Sequence, residues 1–295
     1  MKQGYTFWIA GGDARQLTLA KLLVQDGYPV KTLALGMEPS TFGAVPVDSF
    51  QPQSWDEVLI LPLPMCSTPG ILRTPLWSEP VPLAPILDAA LPGQLIFGGK
   101  VDQAVQAPAS ARGLTIRDYL DREELAIANA VPTAEGAVQL AMEKLPITIH
   151  RCQVLILGFG RVGRATAQRF SALGAHVTVA ARRYEALSMA ESMGLEAVHL
   201  DSLDHLKAYP LVINTIPAPV LDRVLLERLR PGCLILDLAS KPGGVDFAAA
   251  QSLGLEAVHA LALPGKVAPV TAGTAIKHTI CHMLTELERE VPIGT

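Results

Sequence analysis

A glycine-rich loop, GFGRVG at 158–163, constrains the fold of this chain more than any other feature. It follows an apolar run at 153–157, typical of a buried strand, and precedes 164–173, which has the pattern of a helix. In that position the backbone N–H groups of a G-x-G-x-x-G loop can hold a pyrophosphate at the helix N-terminus. The motif alone is weak evidence. A strand before it and a helix after it predict a dinucleotide-binding domain.

The residues after the next predicted strand, 176–180, distinguish NAD from NADP. A site for NAD has Asp or Glu at the end of this strand, where the carboxylate binds the ribose 2′-hydroxyl. Here Ala181, Arg182 and Arg183 follow the strand, and no carboxylate occurs between the glycine loop and Tyr184. Paired arginines favour a 2′-phosphate, so the predicted cofactor is NADP(H). The alternative is that two solvated arginines begin a helix beside a site that is empty or binds NAD.

Two polar turns complete the predicted cofactor site. Residues 214–217 follow the fourth predicted strand of this domain, and 237–241 begin where the fifth strand ends. Both lie at the carboxyl edge of a parallel sheet, where ligands of such folds bind, although both are also compatible with plain strand-to-helix turns. The predicted cofactor-binding residues are Gly158, Phe159, Gly160, Arg161, Val162, Gly163, Arg182, Arg183, Thr215, Ile216, Pro217, Ser240 and Lys241.

Composition and length favour two α/β domains. Apolar residues make up 49% and aromatic residues 5% of the 295 residues, which suits parallel sheets covered by helices on both faces. We predict a Rossmann-type doubly wound parallel sheet and a smaller, flavodoxin-like open α/β domain. The N-terminal substrate domain is predicted at 1–128 and the NADP-binding domain at 129–271. A terminal helix, 272–295, is expected to pack back on the first domain.

Apolar runs and helical patterns alternate along the chain, and they place the individual elements. The sequence GLEAVH occurs twice, at 194–199 and 254–259, and each copy predicts a helix end followed by a short strand. Two helices, at about 121–129 and 132–142, are expected to connect the domains. Strands are predicted at 5–10, 30–35, 58–61, 94–97, 114–117, 153–157, 176–180, 195–199, 211–215, 233–237 and 255–259. Further helices are predicted near 14–26, 83–90, 101–111, 163–173, 184–193, 218–229, 244–252 and 272–288.

Several classes of function lack support in the sequence. The net charge is −4 and there is no basic block, so neither nucleic-acid nor membrane binding is indicated. No apolar stretch is long enough to cross a bilayer, and a cytoplasmic location is expected. The four cysteines lie far apart without a CxxC pair, which argues against disulfides and zinc. His278 and His282 have no evident third ligand, so no metal is predicted.

Four segments occur in the order found in one known family: GGDARQ at 11–16, NAVPTAEG at 129–136, the glycine loop with its arginines, and LPGKVAP at 263–269. In these segments the chain resembles the A-subunit family of dipicolinate synthase from spore-forming bacteria. The resemblance implies a two-domain dehydrogenase fold. It also implies oxidation of dihydrodipicolinate, or of its hydroxytetrahydro precursor from the lysine pathway, to pyridine-2,6-dicarboxylate. The family acts in the mother-cell cytoplasm during sporulation with a flavoprotein-like partner, the B subunit of dipicolinate synthase, and a homo-oligomer is expected.

A dicarboxylate substrate is expected to contact cations and hydroxyl donors. The candidate substrate-binding residues are Asp13, Arg15, Ser67, Thr68, Thr133 and Lys266. For the first two, the alternative is that the aspartate caps a helix and the arginine is solvated.

Glu135 is the candidate proton acceptor, and the alternative is an acidic residue in the first turn of a helix. The sequence does not otherwise name a catalytic base. Two alternative functions stay open: an NADP-linked reductase of another small acid, and a non-catalytic or sensing subunit that binds NADP.

Overall fold

The computed structural model describes residues 4–290, which form two compact units. Unit 1 contains the residues up to Ala128 and those from Ala268 onward, and unit 2 is Asn129–Val267. Within the described residues each unit contains one six-stranded sheet whose strands are all parallel. The prediction of an α/β fold built on two parallel sheets is therefore confirmed.

The sheet of unit 1 is buried on both faces. Alternate residues of its first strand show this, since Phe7 and Ile9 belong to one apolar core and Trp8 and Ala10 to the other. The strands are β1 (Thr6–Ala10), β2 (Val30–Leu33), β3 (Val45–Val47), β4 (Glu57–Ile60), β5 (Cys66–Thr68), β6 (Ile71–Leu72), β7 (Ile96–Gly98) and β8 (Ile116–Asp118). The helices that accompany them are α1 (Ala14–Gln25), α2 (Ala84–Ala89) and α3 (Gln103–Ser110), with 3-10 turns at Glu38–Phe42 and Tyr119–Asp121.

The strand order of unit 1 is β3-β2-β1-β4-β7-β8, while β5 and β6 form a separate antiparallel hairpin. Without β3 the order is that of a flavodoxin-like sheet, and β3 extends it to the order of a Rossmann sheet. The sequence did not predict β3, because three residues that include Pro46 show no alternating pattern. The order reverses between β1 and β4. Ligands of open α/β sheets bind at this kind of reversal, outside the carboxyl ends of the strands.

One long helix, α4 (Glu123–Lys144), runs continuously through Pro132, so the prediction of two separate helices is wrong. A proline removes one helical hydrogen bond, but it does not end this helix. The hydroxyl of Thr133 donates to the carbonyl of Asn129 at 2.7 Å within the same turn. Ala130, Ala134, Ala137 and Ala141 are all buried. They form one face that continues on both sides of the proline and supports the helix.

Unit 2 has a sheet of order β11-β10-β9-β12-β13-β14, which is the Rossmann order, and it reverses between β9 and β12. The strands are β9 (Gln153–Leu157), β10 (His176–Ala181), β11 (Glu196–His199), β12 (Leu211–Asn214), β13 (Leu234–Asp237) and β14 (Glu256–His259). The helices are α5 (Arg161–Ala172), α6 (Tyr184–Ser192), α7 (Arg223–Leu226), α8 (Phe247–Ser252) and α9 (Leu263–Val267), with 3-10 turns at Leu200–Ser202 and Leu206–Ala208.

The helix predicted at 218–229 is much shorter than expected, because α7 covers only Arg223–Leu226. The backbone N–H groups of Val220 and Leu221 both donate to the carbonyl of Gly244, at 3.0 and 2.9 Å. This segment is therefore extended along residues 244–245 before α7 begins.

The last helix, α10 (Pro269–Glu290), packs against α1 in unit 1. A Cβ at Gly273 would lie 2.5 Å from the carbonyl oxygen of Arg15, so only glycine permits this approach. Ile276, Ile280 and Leu284 complete the core that contains Phe7. Of the terminal helix expected at 272–295, residues 291–295 lie outside the described residues. Among the helices of residues 4–290, none has the length and hydropathy needed to span a membrane.

Candidate functional site

The glycine loop of unit 2 brings the end of β9 against the start of α5. The backbone N–H of Gly158 donates to the carbonyl of Ala180 at 2.8 Å, and its φ of +93° favours glycine. A Cβ at Gly158 would lie 2.5 Å from Oγ1 of Thr215, and a Cβ at Gly163 would lie 2.2 Å from the Gly158 carbonyl oxygen. Side chains at these two positions would separate strand, loop and helix.

The middle glycine of the loop, Gly160, faces open space. Gly160 is the N-cap of α5 and makes no side-chain cap, and a Cβ built on it meets nothing within 4 Å. The N–H groups of the first helical turn have no partner within a helix, and the helix dipole adds positive potential there. An anion such as a pyrophosphate therefore fits this position. The side chain of Phe159 is buried in the core, so this residue offers only its backbone to a ligand.

Two exposed arginines follow β10 directly. The strand ends at Ala181, and Arg182 and Arg183 occupy the turn before α6. Nη1 of Arg183 lies 3.1 Å from a carboxylate oxygen of Glu185, with both side chains at least 70% exposed. Exposed ion pairs of this kind contribute little energy, so the contact with Glu185 leaves the Arg183 side chain free to turn towards a ligand.

A buried hydrogen-bond network joins the ends of β12 and β13. Nδ2 of Asn214 donates to Oδ1 of Asp237 at 2.8 Å and to the carbonyl of Ile216 at 3.0 Å, and both polar side chains are fully buried. The carboxylate of Asp237 also accepts the backbone N–H groups of Ala239 and Gly244, at 3.1 and 2.8 Å. These bonds fix the two turns, 215–217 and 238–244, that contain five of the predicted cofactor residues. The sequence placed both turns at the sheet edge but did not identify the buried pair that holds them.

At the corresponding edge of unit 1, Asp13 binds two guanidinium groups. It caps α1, and its two carboxylate oxygens accept Nε and Nη2 of Arg15, each at 2.9 Å. Nη1 of Arg73 reaches the same carboxylate at 2.8 Å. Arg15 also donates to the carbonyl of Leu63, which follows β4, so the contacts span the reversal between β1 and β4. Because Arg15 is only 5% exposed, the alternative that it is solvated is wrong.

Burial and the two arginines have opposite effects on the pKa of Asp13. Burial disfavours the charged carboxylate, but the hydrogen bonds and charge of Arg15, together with Arg73, outweigh it. The pKa of Asp13 is therefore below its ordinary value. Sequence reasoning missed Arg73, because it lies in a proline-rich segment without a repeating pattern. The carbonyl of Arg73 accepts the backbone N–H of Gly12 at 2.8 Å. This bond fixes the proline-rich segment against the turn between β1 and α1.

A chain of buried polar groups supports this edge from below. Oε1 of Gln16 accepts the backbone N–H of Asp13 at 3.3 Å, and Nε2 of Gln16 contacts the hydroxyl of Tyr119 at 3.4 Å. The Tyr119 hydroxyl donates to the carbonyl of Leu61 at 3.0 Å. Burial raises the pKa of Tyr119 well above its ordinary value, so the phenol stays protonated and remains a donor.

The other candidate substrate residues lie at separate places in the two units. Ser67 and Thr68 are exposed on β5 and line, with Arg73, a surface depression of about 560 Å³ in unit 1. In unit 2, the hydroxyl of Thr133 is used within α4, and Lys266 is exposed on α9.

Glu135 lies in the middle of α4, so the interpretation as a first-turn residue is wrong. Its carboxylate is 58% exposed and lies 3.5 Å from Nε of Arg169 on α5. Arg169 follows the start of α5 by eight residues, or about 12 Å along the helix axis. This ion pair keeps Glu135 near the opposite end of α5 from the glycine loop. The geometry therefore gives Glu135 no support as the proton acceptor.

Among the side chains that the structure describes, no group of three or more His, Cys, Asp or Glu could hold a metal ion. His282 lies 3.9 Å from Glu124, an exposed pair on the surface of unit 1.

Comparison with known proteins identifies relatives over the whole chain. Residues 6–120 match the N-terminal domain of the dipicolinate synthase A subunit, and residues 125–291 match the alanine dehydrogenase/PNT C-terminal domain. The dipicolinate synthase A subunit of Bacillus subtilis is 36% identical, over 98% of this chain and 99% of that protein. The crystal structure of the A chain from Bacillus subtilis has a TM-score of 0.88 at 35% identity, covering 98% of this chain and 99% of that one. The structure of the A subunit from Bacillus halodurans has the same TM-score at 30% identity, covering 96% and 99%.

Stability at acid pH tests the arginine contacts of Asp13. A lowered folded-state pKa contributes stability that is complete above the unfolded pKa of about 4 and is lost as the pH falls through the folded value. We expect Asp13→Asn to lower the free energy of unfolding by about 1–2 kcal/mol at pH 7, and the deficit to shrink as the pH falls from 7 to 3. Urea unfolding at each pH measures it. Asp88→Asn, at a 61% exposed carboxylate of the same unit, should show little deficit at any pH. A deficit for Asp13→Asn that does not change with pH would show that the charge of Asp13 does not stabilise the fold.

Proposed function

The chain belongs to the A-subunit family of dipicolinate synthase, and on that premise we propose that it is the NADP-dependent dehydrogenase subunit of a dipicolinate synthase. It would oxidise dihydrodipicolinate, or its hydroxytetrahydro precursor, to pyridine-2,6-dicarboxylate in the mother-cell cytoplasm during sporulation. Membership establishes a dehydrogenase-type chain with a domain of the kind that binds a nicotinamide nucleotide. The choice of NADP and the substrate are the proposal.

The observation that carries the choice of cofactor is the end of β10. Ala181 ends the strand where an NAD site has a carboxylate, and Arg182 and Arg183 are exposed directly after it. Two guanidinium groups suit a phosphate that carries up to two negative charges. The same edge of the sheet contains the glycine loop, at the reversal between β9 and β12.

The roles of the other residues in unit 2 follow from their positions. When bound, NADP accepts a hydride from the ring of the substrate. Residues 158–163 would bind the pyrophosphate with backbone N–H groups, since a Cβ at Gly160 meets nothing within 4 Å and the start of α5 is open to a ligand. Thr215, Ile216 and Pro217 would contact the cofactor from the turn after β12, and Ser240 and Lys241 from the turn after β13.

Substrate binding is assigned to the arginines at the carboxyl edge of unit 1. Asp13 neutralises one of the two guanidinium groups, so the cluster keeps one positive charge for a carboxylate of the substrate. Arg73 is the more accessible partner, at 30% side-chain exposure against 7% for Arg15. Ser67 and Thr68 are hydroxyl donors near it. Thr133 and Lys266 are retained as further candidates, and the proton acceptor is left unassigned.

Two associations accompany the proposal. The Bacillus subtilis relative is named as one subunit of dipicolinate synthase, and we propose that this chain also has a partner, the flavoprotein-like B subunit of that enzyme. Self-association into a homo-oligomer is also proposed.

A direct assay tests the reaction. The purified chain is mixed with NADP and freshly generated dihydrodipicolinate, and the absorbances of NADPH and of the pyridine product are followed together. Equal appearance of both is the expected result, since one hydride leaves the ring for each pyridine formed. If NADP binds but is reduced only after the B subunit is added, the chain is the cofactor-binding half of a shared enzyme. If NADP binds and is never reduced, the non-catalytic alternative is correct.

The arginines after β10 should determine cofactor preference. We expect Arg182→Ala and Arg183→Ala each to weaken NADP binding by about tenfold, because each removes a charge-assisted contact to the 2′-phosphate. NAD binding should change little. Isothermal titration with both nucleotides measures the ratio of dissociation constants. Arg230→Ala is the control, at an exposed arginine that precedes β13 at the amino edge of the same sheet. Equal losses for NADP and NAD would show that the arginines do not contact a 2′-phosphate.

Arg73 should determine substrate affinity. Arg73→Ala removes a charge that binds the substrate equally in ground and transition states, so KM should rise about tenfold while kcat changes little. Steady-state kinetics at saturating NADP separates the two constants. Arg112→Ala is matched in exposure, at 32%, and in having an aspartate partner in unit 1. It should leave both constants unchanged, and an unchanged KM for Arg73→Ala would exclude Arg73 from the substrate site.

A further inference from the structure

The repeated sequence GLEAVH forms the two outer strands of the unit 2 sheet. One copy contains β11 and the other contains β14, which are the first and last strands in the order of the sheet. Each copy ends in a histidine at the carboxyl edge. His199 is paired in register with Ala181 at the end of β10, and His259 is paired with Asp237 at the end of β13. The repeat therefore places one histidine beside each half of the proposed nucleotide site.

His199 holds the backbone of the arginine turn. Its Nε2 lies 3.0 Å from the carbonyl oxygen of Arg182. Since a carbonyl oxygen only accepts, Nε2 carries the hydrogen. The ring lies beside that of Tyr184, with centroids 5.5 Å apart and planes inclined by 30°. Nδ1 lies 3.3 Å from the backbone nitrogen of Asp201 and 3.6 Å from a carboxylate oxygen of the same residue.

His259 makes the same contacts at the other half of the sheet. Its Nε2 lies 3.0 Å from the carbonyl oxygen of Ala239, and it must donate for the same reason. The ring is stacked on Phe247, with centroids 5.3 Å apart and planes inclined by 25°. A Cβ at Gly243 would lie 3.2 Å from Nε2, so the ring also packs against the far side of the turn.

We propose that His199 and His259 are positioning residues that orient the two ends of the bound dinucleotide. His199 fixes the carbonyl of Arg182, and with it the direction in which Arg182 and Arg183 present their side chains to the 2′-phosphate. His259 fixes the carbonyl of Ala239, directly before the exposed Ser240 and Lys241 at the nicotinamide end. This inference rests on the proposed function, because it assigns the histidines to the two ends of NADP.

The location of the contacts explains why a histidine is suited to both positions. The turn after β10 is exposed, so the carbonyl of Arg182 would otherwise bond to water. Ala239, in the turn after β13, is only 4% exposed, so its carbonyl needs a partner within the protein. Imidazole supplies one directed N–H on a flat ring, and the neighbouring aromatic ring restricts its rotation. The two copies also differ in the position of the carbonyl to which Nε2 bonds. His199 bonds to the first residue beyond β10, whereas His259 bonds to the second residue beyond β13, where Asp237 already binds the backbone N–H of Ala239.

Ligands that report on one end of the dinucleotide test the two roles separately. Adenosine 2′,5′-bisphosphate contains only the adenosine end with its 2′-phosphate, and NAD lacks that phosphate. We expect His199→Ala to raise the dissociation constants of NADP and of the bisphosphate about fivefold, since one oriented hydrogen bond is lost. The dissociation constant of NAD should not change. We expect His259→Ala to raise the dissociation constants of NADP and NAD by the same factor and to leave that of the bisphosphate unchanged. Isothermal titration of the full chain measures all three dissociation constants.

Conservative and control variants separate positioning from stability. His199→Gln and His259→Gln retain a side-chain N–H donor and should recover most of the lost affinity, although they lose the ring contact. His176→Ala removes a histidine from the amino end of β10, at the opposite edge of the sheet, and should change no affinity. Thermal unfolding of each variant is measured alongside. If the histidines have only a structural role, the alanine variants will unfold at a lower temperature and bind all three ligands more weakly. That result would overturn the proposal.

The remaining outcomes distinguish this proposal from the proposed function. If the wild-type chain binds NADP and neither histidine variant changes any dissociation constant, the positioning roles are wrong and the proposed cofactor stands. If the wild-type chain binds neither nucleotide, both proposals are wrong. If it prefers NAD, the proposed cofactor and the role of His199 are both wrong. The role of His259 is then decided by NAD affinity alone.

Discussion

The hydrogen bond between Asn214 and Asp237 is the contact on which the rest of the candidate nucleotide site depends. A parallel sheet ends in turns whose backbone groups cannot continue the ladder, so something buried must satisfy them. Here one carboxylate accepts an amide side chain and the N–H groups of Ala239 and Gly244. A buried charge with fewer partners would be costly, and the network leaves little freedom in either turn. Two neighbouring strand ends are thus fixed as one polar unit.

Unit 1 solves the same problem with charges of both signs. Its sheet also reverses beside the first strand, and Arg15 connects the cap of α1 to the carbonyl of Leu63 across that reversal. The difference lies in what each edge then offers to a ligand. In unit 2 the buried groups are satisfied among themselves, and the exposed arginines stand apart from them. In unit 1 the partly buried carboxylate of Asp13 is also the group that holds Arg73, so ligand binding and local stability are coupled through Asp13.

Sequence reasoning succeeded where a feature is local and periodic. The glycine loop and the alternation of strands and helices lie within short windows, and they predicted both sheets. It failed where the deciding contact is distant in the chain. Pro132 suggested a helix end, yet four buried alanines on one face keep α4 continuous. Residues 218–222 have a helical pattern, but their backbone bonds to Gly244. Arg73 reaches Asp13 from 60 positions away and has no pattern of its own.

The residues proposed to determine cofactor preference are exposed, whereas the residues that fix the backbone of the site are buried. Arg182 and Arg183 are exposed, whereas Asn214 and Asp237 are fully buried. Changing an exposed arginine alters a contact with the ligand and leaves the packing intact, so cofactor preference is separable from folding. The repeated histidines lie between these classes, because each is partly exposed and its Nε2 bonds to a backbone carbonyl. A backbone contact constrains where the neighbouring side chains point without restricting which side chains they are. The same scaffold can therefore present arginines at one end of the sheet, and a serine and a lysine at the other.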